Sequence, residues 1–325
     1  MNNTTTHVTT STAQAPHTLP QLDSGLFLAD AGLETSLMHD DGLELPDFTT
    51  FALLDTDNGR KVLARYYERY LEIAEQHGLG IVLETATWRA SPDWLAAQEY
   101  SPEDLDRFNH TAVRVLRALQ VRRPAVSVVV SGCVGPRYDG YVAEPAPDWR
   151  QALDYHAAQV SALAAAGVDL ITATTMTTPH EAHGIVLAAQ ALGVPAVVSF
   201  TVETDGRLPD GTPLAAAIAH VDDATSAYPA YYMVNCAHPE HFRSVMATDG
   251  PEVQRIQGVR ANASKRSHAE LDAATELDRG DPQDLAQHYL ALLATNPALR
   301  VLGGCCGTNH EHIAAIATAV TEATG

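Results

Sequence analysis

Short apolar runs alternate with amphipathic stretches along nearly the whole chain, and they do so eight times. The runs are residues 25–30, 80–87, 126–133, 168–174, 196–202, 231–236, 256–261 and 301–304. They are short, continuous in apolar character and rich in β-branched residues, the pattern of strands buried on both faces. Between them lie stretches of helical period. Residues 61–77 place Val62, Arg65, Tyr66, Arg69, Ile73 and Ala74 so that one face is largely apolar. Residues 108–120 bring Val113, Leu116 and Leu119 together, and residues 149–166 and 282–294 behave alike. Pro92, Pro102 and Pro282 stand where helices would begin, and Gly78, Gly167 and Gly193 where they would end.

Parallel strands covered by helices follow from this alternation. Eight such units in a chain of 325 residues predict an α/β fold, a single-domain (β/α)₈ TIM barrel over residues 21–325. The competing open, doubly wound sheet usually carries a glycine-rich dinucleotide fingerprint after its first strand. Here that place reads Ala31-Gly32-Leu33-Glu34-Thr35. Residues 1–20, rich in Thr, Ser, Asn, His and Gln, read as a disordered tail.

Hydrophobic residues make up 46% of the chain, enough for a large core, and the net charge is -20. That charge excludes a general nucleic-acid binder, which needs clustered Lys and Arg, and it mismatches an anionic membrane. The first Lys or Arg is Arg60, so neither a secretory signal nor a transit peptide is expected. The uncharged stretch 185–202 contains Gln190, Gly193 and Pro195, a helix end and turn, not a span. The expected compartment is the cytoplasm, and the oligomeric state is left open.

In a barrel the active site lies at the carboxyl ends of the strands. The residues there are Asp30; Glu84, Thr85 and Thr87; Cys133 and Gly135; Thr174 and Thr175; Thr201 and Glu203; Asn235 and Cys236; Asn262; and Cys305 and Cys306. All 4 cysteines of the chain fall among them. Neighbouring side chains on a strand point to opposite faces, so Cys305 and Cys306 share a metal only where the backbone leaves extended geometry. The glycines of Gly303-Gly304-Cys305-Cys306-Gly307 permit that. Cys236 would supply a third sulfur. Three thiolates suit Zn²⁺ and leave one coordination position open, as in catalytic sites. The alternatives are small buried hydrophobes, the simplest reading of Cys133, and a strained bond between adjacent cysteines.

Several segments carry a family resemblance: Leu28-Ala29-Asp30-Ala31-Gly32, Glu84-Thr85-Ala86-Thr87-Trp88-Arg89-Ala90-Ser91, and Gly135-Pro136-Arg137-Tyr138-Asp139-Gly140-Tyr141. Val234-Asn235-Cys236 with Pro239, and Gly303-Gly304-Cys305-Cys306-Gly307-Thr308, complete it. In these the chain resembles the homocysteine S-methyltransferase family. The resemblance implies zinc on Cys236, Cys305 and Cys306, with a small-molecule thiol acceptor in the open position. It implies that Asp30, Thr85 and Thr174 lie at acceptor-binding positions, with Asn235 orienting Cys236. The cationic methyl donor would be a sulfonium, S-methylmethionine or S-adenosylmethionine, or else betaine. Glu84, Trp88, Tyr138 and Glu203 are candidates to face it.

The chain departs from the family pattern around the substrate pocket. The family's strand 4 glutamate, which receives the acceptor's ammonium, is Thr174 here. The usual Pro-Asn-Ser near strand 7 is Ala261-Asn262-Ala263-Ser264. With the cysteine set intact, the expectation is that metal chemistry is kept and acceptor choice has moved. His310-Glu311-His312 opens a helix, where i and i+2 diverge, and His238-Pro239-Glu240-His241 and His180-Glu181-Ala182-His183 read as helix starts facing solvent, none of them as ligands.

Overall fold

The computed structural model describes residues 19–23 and 25–324. The expected tail, apart from its last two residues, lies outside the described residues. The strands are β1 Phe27–Ala29, β2 Gly80–Glu84, β3 Val128–Val134, β4 Leu170–Met176, β5 Ala196–Phe200, β6 Tyr231–Asn235, β7 Ile256–Ala261 and β8 Val301–Gly304. They form a closed, all-parallel barrel in sequence order, β8 pairing back onto β1. The helices are α1 Pro20–Asp23, α2 Leu33–His39, α3 Asp57–His77, α4 Pro92–Ala97, α5 Asp104–Arg122, α6 Trp149–Ala166 and α7 Pro179–Ala191. Then follow α8 Leu214–Thr225, α9 Pro239–Met246, α10 Pro251–Gln254, α11 His268–Asp272, α12 Pro282–Thr295 and α13 His310–Thr324. The protein is a single-domain (β/α)₈ barrel. Among the described residues no helix is long and apolar enough to cross a membrane.

Local chemistry sets the element ends. Thr56 caps α3 by accepting from the Gly59 amide at 3.0 Å, and Gly78 ends it at φ 64°. Asp148 and Gln151 form a capping box on α6, which Gly167 ends at φ 84°. Outward strand residues such as Leu28, Ile81, Leu83 and Val130 join the main core under the helices. Inward residues divide by height. Phe27, Val129, Leu170, Val197, Tyr231 and Val301 fill the lower barrel with apolar bulk. Buried Glu84, Ser131, Thr172, Thr174, Ser199, Asn235 and Arg260 make the upper interior polar. Leu19 packs beneath the lower layer, and Gln21 on α1 reaches the Tyr231 hydroxyl at 3.4 Å, closing that end.

Two histidine expectations need correcting. His238 and His183 do sit at helix starts, but both are buried. The ring of His238 caps α9 and packs edge-on to His288, while His183 stacks on Trp149 at 5.1 Å. A helix start packed against the next helix does not face water.

Candidate metal and acceptor site

Cys236 follows β6, and Cys305 and Cys306 follow β8. Their three sulfurs lie within 4.8 Å of one another at the barrel mouth. The structure joins Cys236 to Cys305 sulfur to sulfur, with Cα atoms 5.4 Å apart, and leaves Cys306 free. The pairing is thus between strands and not between neighbours. Cys236 itself takes φ 54°, in the left-handed region. Glycines allow the close packing around the pair. A Cβ on Gly32 would lie 2.5 Å from the carbonyl oxygen of Cys305, and one on Gly304 2.1 Å from Thr308 Oγ1.

Polar groups converge on the sulfurs. Asn235 Nδ2 lies 3.2 Å from Cys236 Sγ and 3.9 Å from Cys305 Sγ, and also donates to Thr175 Oγ1 at 2.8 Å. Asn235 Oδ1 accepts from Ser199 at 2.7 Å and from the Thr175 amide at 3.1 Å, which fixes the amide orientation. The Tyr141 hydroxyl donates to Cys306 Sγ at 3.1 Å. Burial pushes the Cys306 thiol up, and this hydroxyl bond opposes the shift. Tyr141 stacks on His268 with ring centres 4.1 Å apart. His268 Nε2 lies 2.7 Å from the Cys236 carbonyl oxygen, and its Nδ1 lies 3.0 Å from Glu203 Oε1. In the dithiol form, three soft donors with hydrogen bonds aimed at sulfur are a set that fits a thiophilic divalent ion.

Removing the Tyr141 hydroxyl tests that shell. Tyr141→Phe is expected to weaken metal affinity by about ten- to a hundredfold, the usual effect of losing an outer-shell partner. Chelator competition on the reduced protein would read this, with the ring stack on His268 retained.

Beneath the sulfurs lies a buried ion cluster that centres on Arg260. Its Nη2 meets Asp30 Oδ1 at 2.7 Å and its Nη1 meets Glu84 Oε2 at 2.5 Å. Its Nε donates to the Gly304 carbonyl oxygen at 3.2 Å. Thr174 Oγ1 reaches Glu84 Oε1 at 3.4 Å, and Cys133 Sγ lies 3.5 Å from Thr174 Oγ1. Burial raises the Cys133 thiol well above its usual range, which fits a small buried hydrophobe. Burial also pushes Asp30 up to about 7, with Arg260 opposing and Glu84 adding to the shift.

That shift fixes a sign. A carboxyl raised on folding holds a proton in the folded state that the unfolded chain has released. Its contribution to stability is full below the unfolded value of 3.8 and is lost as pH rises through about 7. The stability of the native protein minus that of Asp30→Asn is therefore expected to fall between those limits. Urea unfolding of both proteins across that range measures the difference.

Sequence reasoning named the cysteines, Asp30, Glu84, Thr174 and Asn235, and the structure brings all of them to one interior. It places others differently. The Thr85 hydroxyl is engaged within the barrel wall, 2.6 Å from Thr87 Oγ1 and accepting from the Cys133 amide at 2.9 Å. Trp88 Nε1 donates to the Thr174 carbonyl oxygen at 3.4 Å, at the edge of the cluster. Glu84 and Glu203, considered for a cationic donor, are partnered by Arg260 and His268. Tyr138 is half-buried beside the Arg137 guanidinium, 5.3 Å from its ring centre. Arg260, Tyr141 and His268 were missed. The signal for Arg260 was available: Gly258, Arg260 and Asn262 share one strand face, and a charge within an apolar run points into the barrel.

Fold and site together define a barrel enzyme with a cysteine triplet at its catalytic mouth. The chain belongs to the homocysteine S-methyltransferase family, whose profile matches residues 27–320. It is a homocysteine S-methyltransferase-like enzyme, in a family that transfers methyl groups to thiols. It is 25% identical over 260 residues to homocysteine S-methyltransferase YbgG of Bacillus subtilis, covering 72% of this chain and 77% of that protein. Among solved structures it is similar to the homocysteine methyltransferase MmuM of Escherichia coli. The oxidized form superposes with TM-score 0.71 and 22% identity over 91% of this chain and 96% of the other. The metallated form gives TM-score 0.70 with the same coverage. At that identity the likeness speaks for the fold.

Proposed function

We propose that the protein is a zinc-dependent S-methyltransferase. It moves a methyl group from a sulfonium donor, S-methylmethionine or S-adenosylmethionine, to a thiol, homocysteine or a relative. The observation that carries this reading is the convergence of Cys236, Cys305 and Cys306 within 4.8 Å at the barrel mouth. All three hold zinc once Cys236 and Cys305 are thiols. MmuM, solved in a metallated form, supports the choice of a metal site. Bound zinc supplies a deprotonated yet nucleophilic acceptor sulfur at neutral pH, where a free thiol is only a few per cent ionised.

The chain's residues then have definite tasks. Asn235 and Tyr141 hold the cysteine sulfurs through N–H and O–H donors. Trp88, anchored on the Thr174 carbonyl oxygen, and Tyr138 are the aromatic candidates for a cationic donor, which would take the ring faces left by Arg89, 4.7 Å from the Trp88 ring centre, and Arg137, 5.3 Å from that of Tyr138. Glu203, 35% exposed and in contact with His268, adds a negative field. As the new carbon–sulfur bond forms, the donor's carbon–sulfur bond breaks and its electron pair stays on a neutral thioether. No general acid is required, and alignment of donor and acceptor supplies the rate enhancement.

The test is direct. Reduced, zinc-loaded protein is assayed with a thiol panel against S-methylmethionine, S-adenosylmethionine and betaine. Zinc near one per chain with thiol-dependent transfer from a sulfonium is expected. Transfer from betaine alone would reassign the donor. Stoichiometric zinc without transfer from any donor would make the protein a thiol-binding barrel without turnover.

A further inference from the structure

The geometry points to Arg260 as the residue that sets acceptor specificity: its guanidinium occupies both buried carboxylates beneath the cysteines, so the acceptor is a thiol without an ammonium group. This rests on the thiol-transfer reading above and names the acceptor class for that same site.

The placement comes first. The Arg260 carbonyl oxygen accepts from the Cys236 amide at 3.2 Å, and its Nε donates to the carbonyl of Gly304, the residue before Cys305. The guanidinium therefore sits one layer below the sulfurs, where the tail of a thiol held at the cysteines would extend. Asp30 and Glu84, its two partners, are both buried. Of the other acids near this end, Glu203 contacts His268 at 3.0 Å and Glu34 Oε1 accepts from Thr50 at 3.1 Å, while Asp272 and Asp139 are exposed at the rim, outside the buried layer.

An ammonium arriving in this layer would meet a fixed cation a few ångströms away in a low-dielectric interior. It would need a carboxylate of its own, and Arg260 already holds the two that face the tail. Arg260 lies between the two carboxylates, and burial moves Asp30 toward its neutral form, which reduces the negative charge left for a second cation. The chemistry selects against a tail that carries an ammonium.

Two ligands that differ only in the amino group isolate this claim: homocysteine and 4-sulfanylbutanoate. Calorimetric titration of the zinc-loaded full chain is expected to show the desamino thiol binding at least about tenfold more tightly, a difference of about 1.4 kcal/mol. The kcat/KM values should follow the same order. Arg260→Gln should narrow the ratio by about tenfold or more. If that variant does not fold, the ratio on the native protein decides alone. Homocysteine binding as tightly as its desamino analogue, or more tightly, overturns the proposal and leaves thiol transfer intact. Failure of both thiols to bind, with no methyl transfer, overturns the proposal together with the function on which it rests.

Discussion

Cys306→Ala is expected to abolish stoichiometric zinc binding and to cost about 10³ or more in kcat/KM, about 4 kcal/mol of transition-state stabilisation. Cys306 is the best cysteine for the experiment. It is the free member of the cluster, so its loss leaves the Cys236–Cys305 contact between β6 and β8 untouched. Two sulfurs from different strands cannot enclose a tetrahedral ion without a third donor. Metal analysis and a thiol-dependence assay on the same preparation, with far-ultraviolet dichroism to show an intact barrel, check the prediction. Zinc retained at one per chain with undiminished turnover would remove Cys306 from the metal site.

The second large effect concerns stability. Arg260→Met should destabilise the protein by about 3–5 kcal/mol, the usual result of removing one member of a buried ion cluster. Methionine fills most of the volume, so the loss is electrostatic: Asp30 and Glu84 are left buried with no cation between them. Thr174 Oγ1, 3.4 Å from Glu84, cannot supply the missing charge. Arg260→Met with Asp30→Asn and Glu84→Gln should regain most of the loss, because neutral amides do not require a counter-cation. Denaturant unfolding of the single and triple variants measures both. A loss below about 1 kcal/mol in the single variant would mean that the cluster is hydrated and weakly coupled.

The barrel was legible because each strand is buried on both faces and therefore reads as an unbroken apolar run. Residues 256–261 and 301–304 match β7 and β8 at both ends. Where the match is looser, backbone geometry is the reason. The fourth run was expected to stop at residue 174, but β4 continues to Met176 through an irregularity at Thr175, whose φ is 65°. The cysteine set was legible because three sulfurs at strand ends have few other uses. The partners of the acids were not. Glu84 meets Arg260, and Glu203 meets His268, across the barrel mouth. A local sequence window shows a carboxylate with no hint of which distant cation will claim it. Thr174 left open which group meets the buried carboxylates, and only the closure of the barrel, with β8 between β7 and β1, brings Arg260 to Asp30.

Among the described residues the lower barrel is filled by its apolar layer and capped by Leu19 and by Gln21 reaching the Tyr231 hydroxyl, so substrates are left with the strand-end mouth. Donor and acceptor cannot approach from opposite ends, and products cannot drain through the floor. On the proposed reading the acceptor's tail lies deeper than the donor. It has to be loaded first, and the methylated thioether leaves only after the spent donor has gone. On that reading ordered sequential kinetics are the expected result, because a packed lower layer leaves both substrates one mouth to share.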